Sequence, residues 1–319
     1  MNTASPHVVA AFERIRETET TALRQAEALV EVALDLQRKP RDPQELVDAV
    51  FLYDRAASLV EEVPLARARA IAGKGTALRR MPGAGLDHLE AARAAFEEAM
   101  PALRAHGEPE EVAETEMNQG LVLQALAGAG RAPLPEAIAA YHRALRTFDA
   151  AAYPREYAIL HNNLATAYLS TAMVGGKEGL REALAVQSFR EALRCVSMEE
   201  DPVEWSMLQN NLGNALQATR SSHPFENLVE AVAAYDQALK VRTAHDMPVE
   251  HANTIANKAN ALMNLPDEPG APERGNPENL RRAVTLLEAA GELFAGNALG
   301  DRAGVVRELA ASLNAELAG

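Results

Sequence analysis

Alanines and an aromatic ring recur along this chain at a fixed spacing, Ala-x3-aromatic-x2-Ala. The copies are Ala49/Tyr53/Ala56, Ala92/Phe96/Ala99, Ala137/Tyr141/Ala144, Ala185/Phe189/Ala192 and Ala231/Tyr235/Ala238, with Ala283/Leu287/Ala290 as a degenerate sixth. Steps of four and three residues share one helix face, so each copy predicts a helix buried along a stripe of small residues and one ring. These helices are expected near 44–61, 86–105, 134–150, 178–197, 226–244 and 277–294. A second set alternates with them and opens on Pro64, Pro109, Pro154, Pro202 and Pro248, which are 45, 45, 48 and 46 residues apart. Proline fits a helix's first turn because its missing N–H would have no intrahelical partner there. The second set is expected near 64–80, 109–127, 154–171, 202–219 and 248–264.

The helix starts carry further signals. In Asp201-Pro202-Val203-Glu204, Asp201 is a candidate cap and Glu204 stands at the capping-box position. Leu23, Ala26, Leu29, Val30 and Leu34 predict one or two capping helices over 6–38, and a last helix is expected near 301–317. Breaks fall at Pro82-Gly83-Ala84-Gly85, Gly128-Ala129-Gly130, Gly175-Gly176 and Ser221-Ser222-His223-Pro224. The longest, from Pro266 to Pro277, holds four prolines and two glycines and is expected to be mobile, with a contact element as the alternative.

Self-similarity at a fixed period marks a stacked helical array. The segments HNNLATAYL (161–169) and QNNLGNALQ (209–217) resemble the first helix of the tetratricopeptide repeat, and EAIAAYHRAL (136–145) and EAVAAYDQAL (230–239) its second. The period exceeds the usual length of roughly 34 residues by about a dozen, similar to long-period bacterial forms. The resemblance implies an all-α, right-handed superhelical solenoid of antiparallel helix pairs with the proline-started helices on its inner surface. The expected division is a cap over 1–43, repeats over 44–294 and a C-terminal capping helix over 295–319.

Composition agrees and narrows the function. Aromatics make up only 4% of the residues, while alanine and leucine dominate the apolar 48%, which suits closely packed helices better than a sheet. No apolar run reaches the length of about 18 residues that a membrane span needs, and the N-terminus lacks a signal-peptide pattern. Cys195 is the only cysteine, so an internal disulfide is impossible and a cytoplasmic setting is the default expectation. A net charge of −14 argues against phosphate-driven binding to nucleic acid. It serves solubility or, as the sharper alternative, a basic partner.

Asparagine is the informative residue. Nine positions after each opening proline stand Gly73, Asn118, Asn163, Asn211 and Asn257. Ten of the sixteen asparagines fall within the expected proline-started helices: Asn118, Asn162, Asn163, Asn210, Asn211, Asn214, Asn253, Asn257, Asn260 and Asn264. Each costs a helix interior roughly 0.6 kcal/mol relative to alanine, about 6 kcal/mol together, comparable to a domain's whole net stability. Something must offset that. A side-chain amide presents a donor beside an acceptor and so matches an extended peptide backbone. Inner helices about 10 Å apart would meet every third residue of a ligand rising about 3.3 Å per residue. This resembles the peptide-gripping asparagine ladders of other tetratricopeptide superhelices, with Asn118, Asn163, Asn211 and Asn257 as the ladder and Thr166 beside it. The alternative is that the amides tie neighbouring helices together. Gln119 and Lys258 depart from the apolar residue usual after the asparagine, and the lysines of a dicarboxylate clamp are replaced by Asn162 and Asn210.

Catalytic signals are weak. The histidines show no metal-binding spacing, Gly73-Lys74-Gly75-Thr76 lacks the rest of a phosphate loop, and Cys195 lies in an alanine- and leucine-rich helix. The sequence therefore predicts a binding scaffold for a peptide or protein partner, without cofactor, metal or catalytic residues, and leaves the oligomeric state open. The alternatives are an accessory subunit or assembly chaperone of one enzyme, acting through its outer loops, and a substrate-recruiting component of a peptide-modifying system. A helical enzyme is the reading from a different class.

Overall fold

The computed structural model describes residues 4–19, 21–83, 85–171, 178–220 and 223–318. The expected breaks at Ala84, Gly175-Gly176 and Ser221-Ser222 lie outside the described residues. The helices are α1 (Pro6–Thr18), α2 (Ala22–Arg38), α3 (Pro43–Leu59), α4 (Pro64–Arg79), α5 (Gly85–His106), α6 (Pro109–Gly128) and α7 (Leu134–Ala144). They continue as α8 (Pro154–Ser170), α9 (Glu178–Leu193), α10 (Pro202–Ala218), α11 (Pro224–Leu239), α12 (Pro248–Met263), α13 (Pro277–Gly296) and α14 (Gly300–Ala318). No strand occurs among the described residues. The chain forms two compact units, Met1–Asp149 and Ala150–Gly319.

Within each unit the helices pack as successive antiparallel hairpins. The first unit pairs α2 with α3, α4 with α5 and α6 with α7; the second pairs α8 with α9, α10 with α11 and α12 with α13, and α14 lies against α13. One interlock recurs. In the α4/α5, α6/α7 and α10/α11 hairpins a ring from the second helix lies so close to the first that only a residue without a side chain fits beneath it, whereas in α8/α9 the same register holds Ala165. A Cβ on Gly120 would stand 2.5 Å from the Tyr141 ring, and one on Gly213 2.6 Å from the Tyr235 ring. Both tyrosines are fully buried. Where Leu287 replaces the ring in the last copy, the matching position is Ala259.

Proline also opens α3, α11 and α13 of the aromatic set; the helices opened by Pro64, Pro109, Pro154, Pro202 and Pro248 occupy one side of each stack. Besides their hairpin partners, α4 touches both α2 and α6, and α10 touches α12. Among the described residues the aromatic helices make no comparable contact with each other, so this side of each unit is the more closely packed one.

Two local expectations need correction. Asp201 precedes α10 but its side chain makes no capping hydrogen bond; caps that do form include Thr21, which accepts from the Arg24 backbone, Asp42, which accepts from the Gln44 and Glu45 backbones, and Glu111, whose carboxylate accepts from the Glu108 N–H at 2.9 Å. The Pro266–Pro277 segment, expected to be mobile, is fastened. Asp267 accepts the N–H groups of Glu278 and Asn279 at 2.9 and 2.7 Å, capping α13. Asn279 and Asn276 donate back to the Leu265 and Met263 carbonyls at 3.0 and 2.7 Å. Proline content predicted flexibility here because side-chain capping has no local sequence period.

Candidate peptide-binding face

The asparagines divide by what their amides already hold. In the second unit Asn210 is buried, while Asn162, Asn163, Asn211 and Asn257 are half-buried. Asn257 on α12 donates to Asn210 Oδ1 on α10, and Asn210 donates to Asn211 Oδ1, both at 3.4 Å. These lengths lie beyond the usual 2.7–3.2 Å range for N–H···O bonds, so the chain of amides is loosely tied. On α8, at the equivalent positions, Asn162 Oδ1 and Asn163 Nδ2 are buried without any hydrogen-bond partner. An unsatisfied buried polar group costs about 1–3 kcal/mol. Thr166 beside them donates to the Asn163 carbonyl at 2.9 Å.

The remaining positions are committed elsewhere or open to solvent. Asn214 Oδ1 lies 2.8 Å from the Tyr235 hydroxyl, which is also 3.0 Å from Gln217 Oε1. Asn253 accepts from Arg302 of α14 at 3.3 Å. Asn260 is exposed. Asn264 lies just beyond α12 as its C-terminal cap and donates to the Asn260 carbonyl at 2.9 Å, so nine of the ten asparagines are within helices.

Asn118 belongs to the first unit and is 6% exposed. It lines a cavity of about 250 Å³ with Gln37, Gly73, Thr76 and Glu114. Gly73 interrupts the asparagine column for a steric reason: a Cβ there would stand 2.4 Å from the Tyr53 ring.

Two ion pairs were missed in the sequence although it carried their signal. Lys74 binds Asp54 at 2.6 Å, and Lys258 binds Asp236. Each lysine stands ten residues after an opening proline, and each aspartate follows the buried tyrosine of the preceding hairpin, as Tyr53-Asp54 and Tyr235-Asp236. Lys258 thus departs from the usual apolar residue because it pairs with the helix before it.

Near the start of α8 the Tyr157 hydroxyl donates to Glu191 at 2.8 Å, and Arg194 binds the same carboxylate at 2.7 Å. Burial and this acceptor push the Tyr157 phenol up to about 12. The His161 ring lies against Tyr157 with centroids 4.3 Å apart. Trp205 is half-buried against the second unit's core. Burial raises the Cys195 thiol, so it stays protonated near neutrality and lacks a nucleophile's activation. Among the described residues, no three His, Cys, Asp or Glu side chains gather as a metal site, and no helix is long and apolar enough to cross a membrane.

The paired helices and their small-residue contacts fix the class. The fold is an all-helical repeat array of antiparallel hairpins. No known family profile matches the sequence, and no curated protein matches it. Among solved structures it is similar to the Rap conjugation gene regulator of the plasmid pLS20 in complex with the Phr* peptide. That match has 15% identity and a TM-score of 0.45 and covers 93% of this chain and 75% of that one. It is also similar to the TPR2AB domain of yeast Sti1 in its pHSP90 complex, with 15% identity, a TM-score of 0.32 and coverage of 91% and 98%.

Proposed function

We propose that this tetratricopeptide-like chain is a binding scaffold whose inner face in the second unit holds an extended segment of a partner protein. One observation carries the reading. The amides of Asn162 and Asn163 have unspent donor and acceptor atoms, while their counterparts Asn210, Asn211 and Asn257 are joined only at 3.4 Å. A peptide backbone offers the matching acceptor and donor, and each amide it satisfies would gain roughly 0.5–1.5 kcal/mol net. Asn163, Asn211 and Asn257 hold one register on α8, α10 and α12 and form the centre of the face. Asn162, Asn210 and Thr166 flank it, Asn214 and Asn253 buttress it, and Asn260 and Asn264 lie toward its end. Asn118 is the corresponding amide of the first unit. The division into a cap over 1–43, repeats over 44–294 and a cap over 295–319 belongs to the same proposal.

The net charge of −14 supports a basic partner segment. The protonated Cys195 thiol supports a protein without turnover of its own, and the single cysteine supports a cytoplasmic setting. Selection of phage-displayed unstructured peptides on the full chain tests the reading. Selected peptides should cross-link to α8, α10 and α12; cross-links confined to the outer loops would instead favour the accessory-subunit alternative.

A further inference from the structure

In two hairpins the buried tyrosine is bonded to an amide of the preceding helix. Tyr141 of α7 donates to Gln124 of α6 at 2.7 Å, and the Tyr235 hydroxyl of α11 lies 3.0 Å from Gln217 of α10. Each glutamine ends a run spaced three, four and four residues along one helix face: Ala113, Glu116, Gly120 and Gln124, then Ser206, Gln209, Gly213 and Gln217. The buried face of α2 steps the same way through Ala26, Leu29, Ala33 and Gln37, and α2 packs on α3, which carries the buried Tyr53. The first hairpin thus holds the same two partners and leaves them unbonded. Gln37 is 6% exposed, yet its Oε1 is buried without a hydrogen-bond partner. Its backbone is held in place, because Arg80 donates to the Gln37 carbonyl. A buried acceptor without a donor is destabilising and calls for a cause.

Both residues line the first unit's cavity of about 250 Å³. That volume is several times the roughly 30 Å³ that a single bridging water fills. Val30, Leu34 and Leu103 give the cavity an apolar wall, and its charged lining is Arg69, Glu111 and Glu114. Arg69 is already spent on Glu111, at 2.6 and 3.0 Å. Glu114 is exposed, and after burial its charge is the next cause that keeps the Tyr53 phenol protonated. An unspent acceptor, a neutral phenol and more acids than bases together favour a cationic hydrogen-bond donor and disfavour an anion.

We infer that this cavity is a second binding site, which takes one arginine side chain of a peptide or protein partner. Its guanidinium donates to Gln37 Oε1 and to the Tyr53 hydroxyl oxygen, the two groups that bond each other in the other hairpins. A planar fork of five N–H donors serves two separate oxygens at once, which the compact ammonium of lysine does less well. The aliphatic stem lies along Val30, Leu34 and Leu103, as long charged side chains do on apolar walls. The site lies wholly within the first unit and stands independently of the asparagine face of the second.

The test uses the full chain and three blocked tripeptides: Ac-Ala-Arg-Ala-NH2, Ac-Ala-Lys-Ala-NH2 and a third with citrulline, the neutral counterpart of arginine, at the centre. Binding is followed through the side-chain amide NMR signals of Gln37 and Asn118, both of which line the cavity. The arginine peptide should shift them saturably, the lysine peptide more weakly and the citrulline peptide least. Gln37→Leu and Tyr53→Phe should each weaken the arginine peptide by about tenfold or more, the scale of a charge-assisted hydrogen bond. Tyr141→Phe, which breaks a bond already made with Gln124, should lower the melting temperature and leave the affinity unchanged. Gln37→Leu should do the reverse, holding the melting temperature while the affinity falls. Alanine at Asn163, Asn211 and Asn257 should leave binding intact, which separates this site from the proposed peptide face. Absence of saturable shifts, equal affinity for the lysine or citrulline peptide, or unchanged affinity in a folded Gln37→Leu variant would overturn the inference.

Discussion

Asn257 of α12 reaches Asn210 of α10 at 3.4 Å, joining two proline-started helices of the second unit through a single long amide contact. A bond of this length is a poor return for an asparagine in each helix, since each costs roughly 0.6 kcal/mol relative to alanine. The hydrophobic interlock beneath, with its buried alanines and tyrosine, already holds the hairpins. That weak tie is what motivates the proposal that the amides serve a ligand rather than the stack.

The interlock makes a sharp prediction about stability. Gly213→Ala places a Cβ 2.6 Å from the Tyr235 ring, and overpacking of this kind costs about 1–3 kcal/mol. Thermal unfolding should show a clear loss. Adding Tyr235→Leu, which imitates the natural pairing of Ala259 with Leu287, should recover part of it; a double variant worse than both single ones would refute the interlock.

The Pro266–Pro277 segment should behave as a tied connection. Asp267→Ala removes the acceptor of two N–H groups at the start of α13 and should cost about 0.5–2 kcal/mol in chemical denaturation, as lost N-caps do. Proteolysis within the segment should accelerate in the variant. Equal cleavage of both proteins would mean that the cap does not restrain it.

Acid should weaken the first unit partly through Glu111. The Arg69 guanidinium, and after it the Glu108 backbone N–H, hold this carboxyl below its ordinary value of 4.5. A depressed folded-state pKa contributes stability that is complete above the unfolded value and is lost as the pH falls through the folded one. Urea unfolding should therefore show Glu111→Gln less stable than the parent near neutrality, with the gap closing as the pH falls through the depressed pKa of Glu111. A gap that widened on acidification would contradict the assignment.

Much of this molecule was legible because its packing is periodic. Five opening prolines marked α4, α6, α8, α10 and α12, and the alanine–aromatic stripe marked the helices between. Periodic burial leaves a periodic trace. The features that escaped depend on single contacts across the stack. Gly73 read as a gap in the asparagine column until the Tyr53 ring was seen against it. The pairing of Lys258 with Asp236 needed the preceding hairpin to be in place. Gln37 lies in α2, before the columns begin, and only its burial without a partner singles it out. The asparagine positions were legible, but the unspent state of Asn162 and Asn163 was not, because hydrogen-bond satisfaction is a property of neighbours.

The central claim, that the amides of the second unit bind a peptide backbone, is tested most directly on the triple variant Asn163→Ala, Asn211→Ala, Asn257→Ala. Affinity for a selected peptide and the melting temperature are measured on the same preparation. At roughly 1 kcal/mol for each net hydrogen bond, affinity should fall by about a hundredfold. The melting temperature should hold or rise slightly, because alanine is the better helix former. Unchanged affinity in a variant that melts well below the parent would show that these amides hold the helices together and would contradict the account.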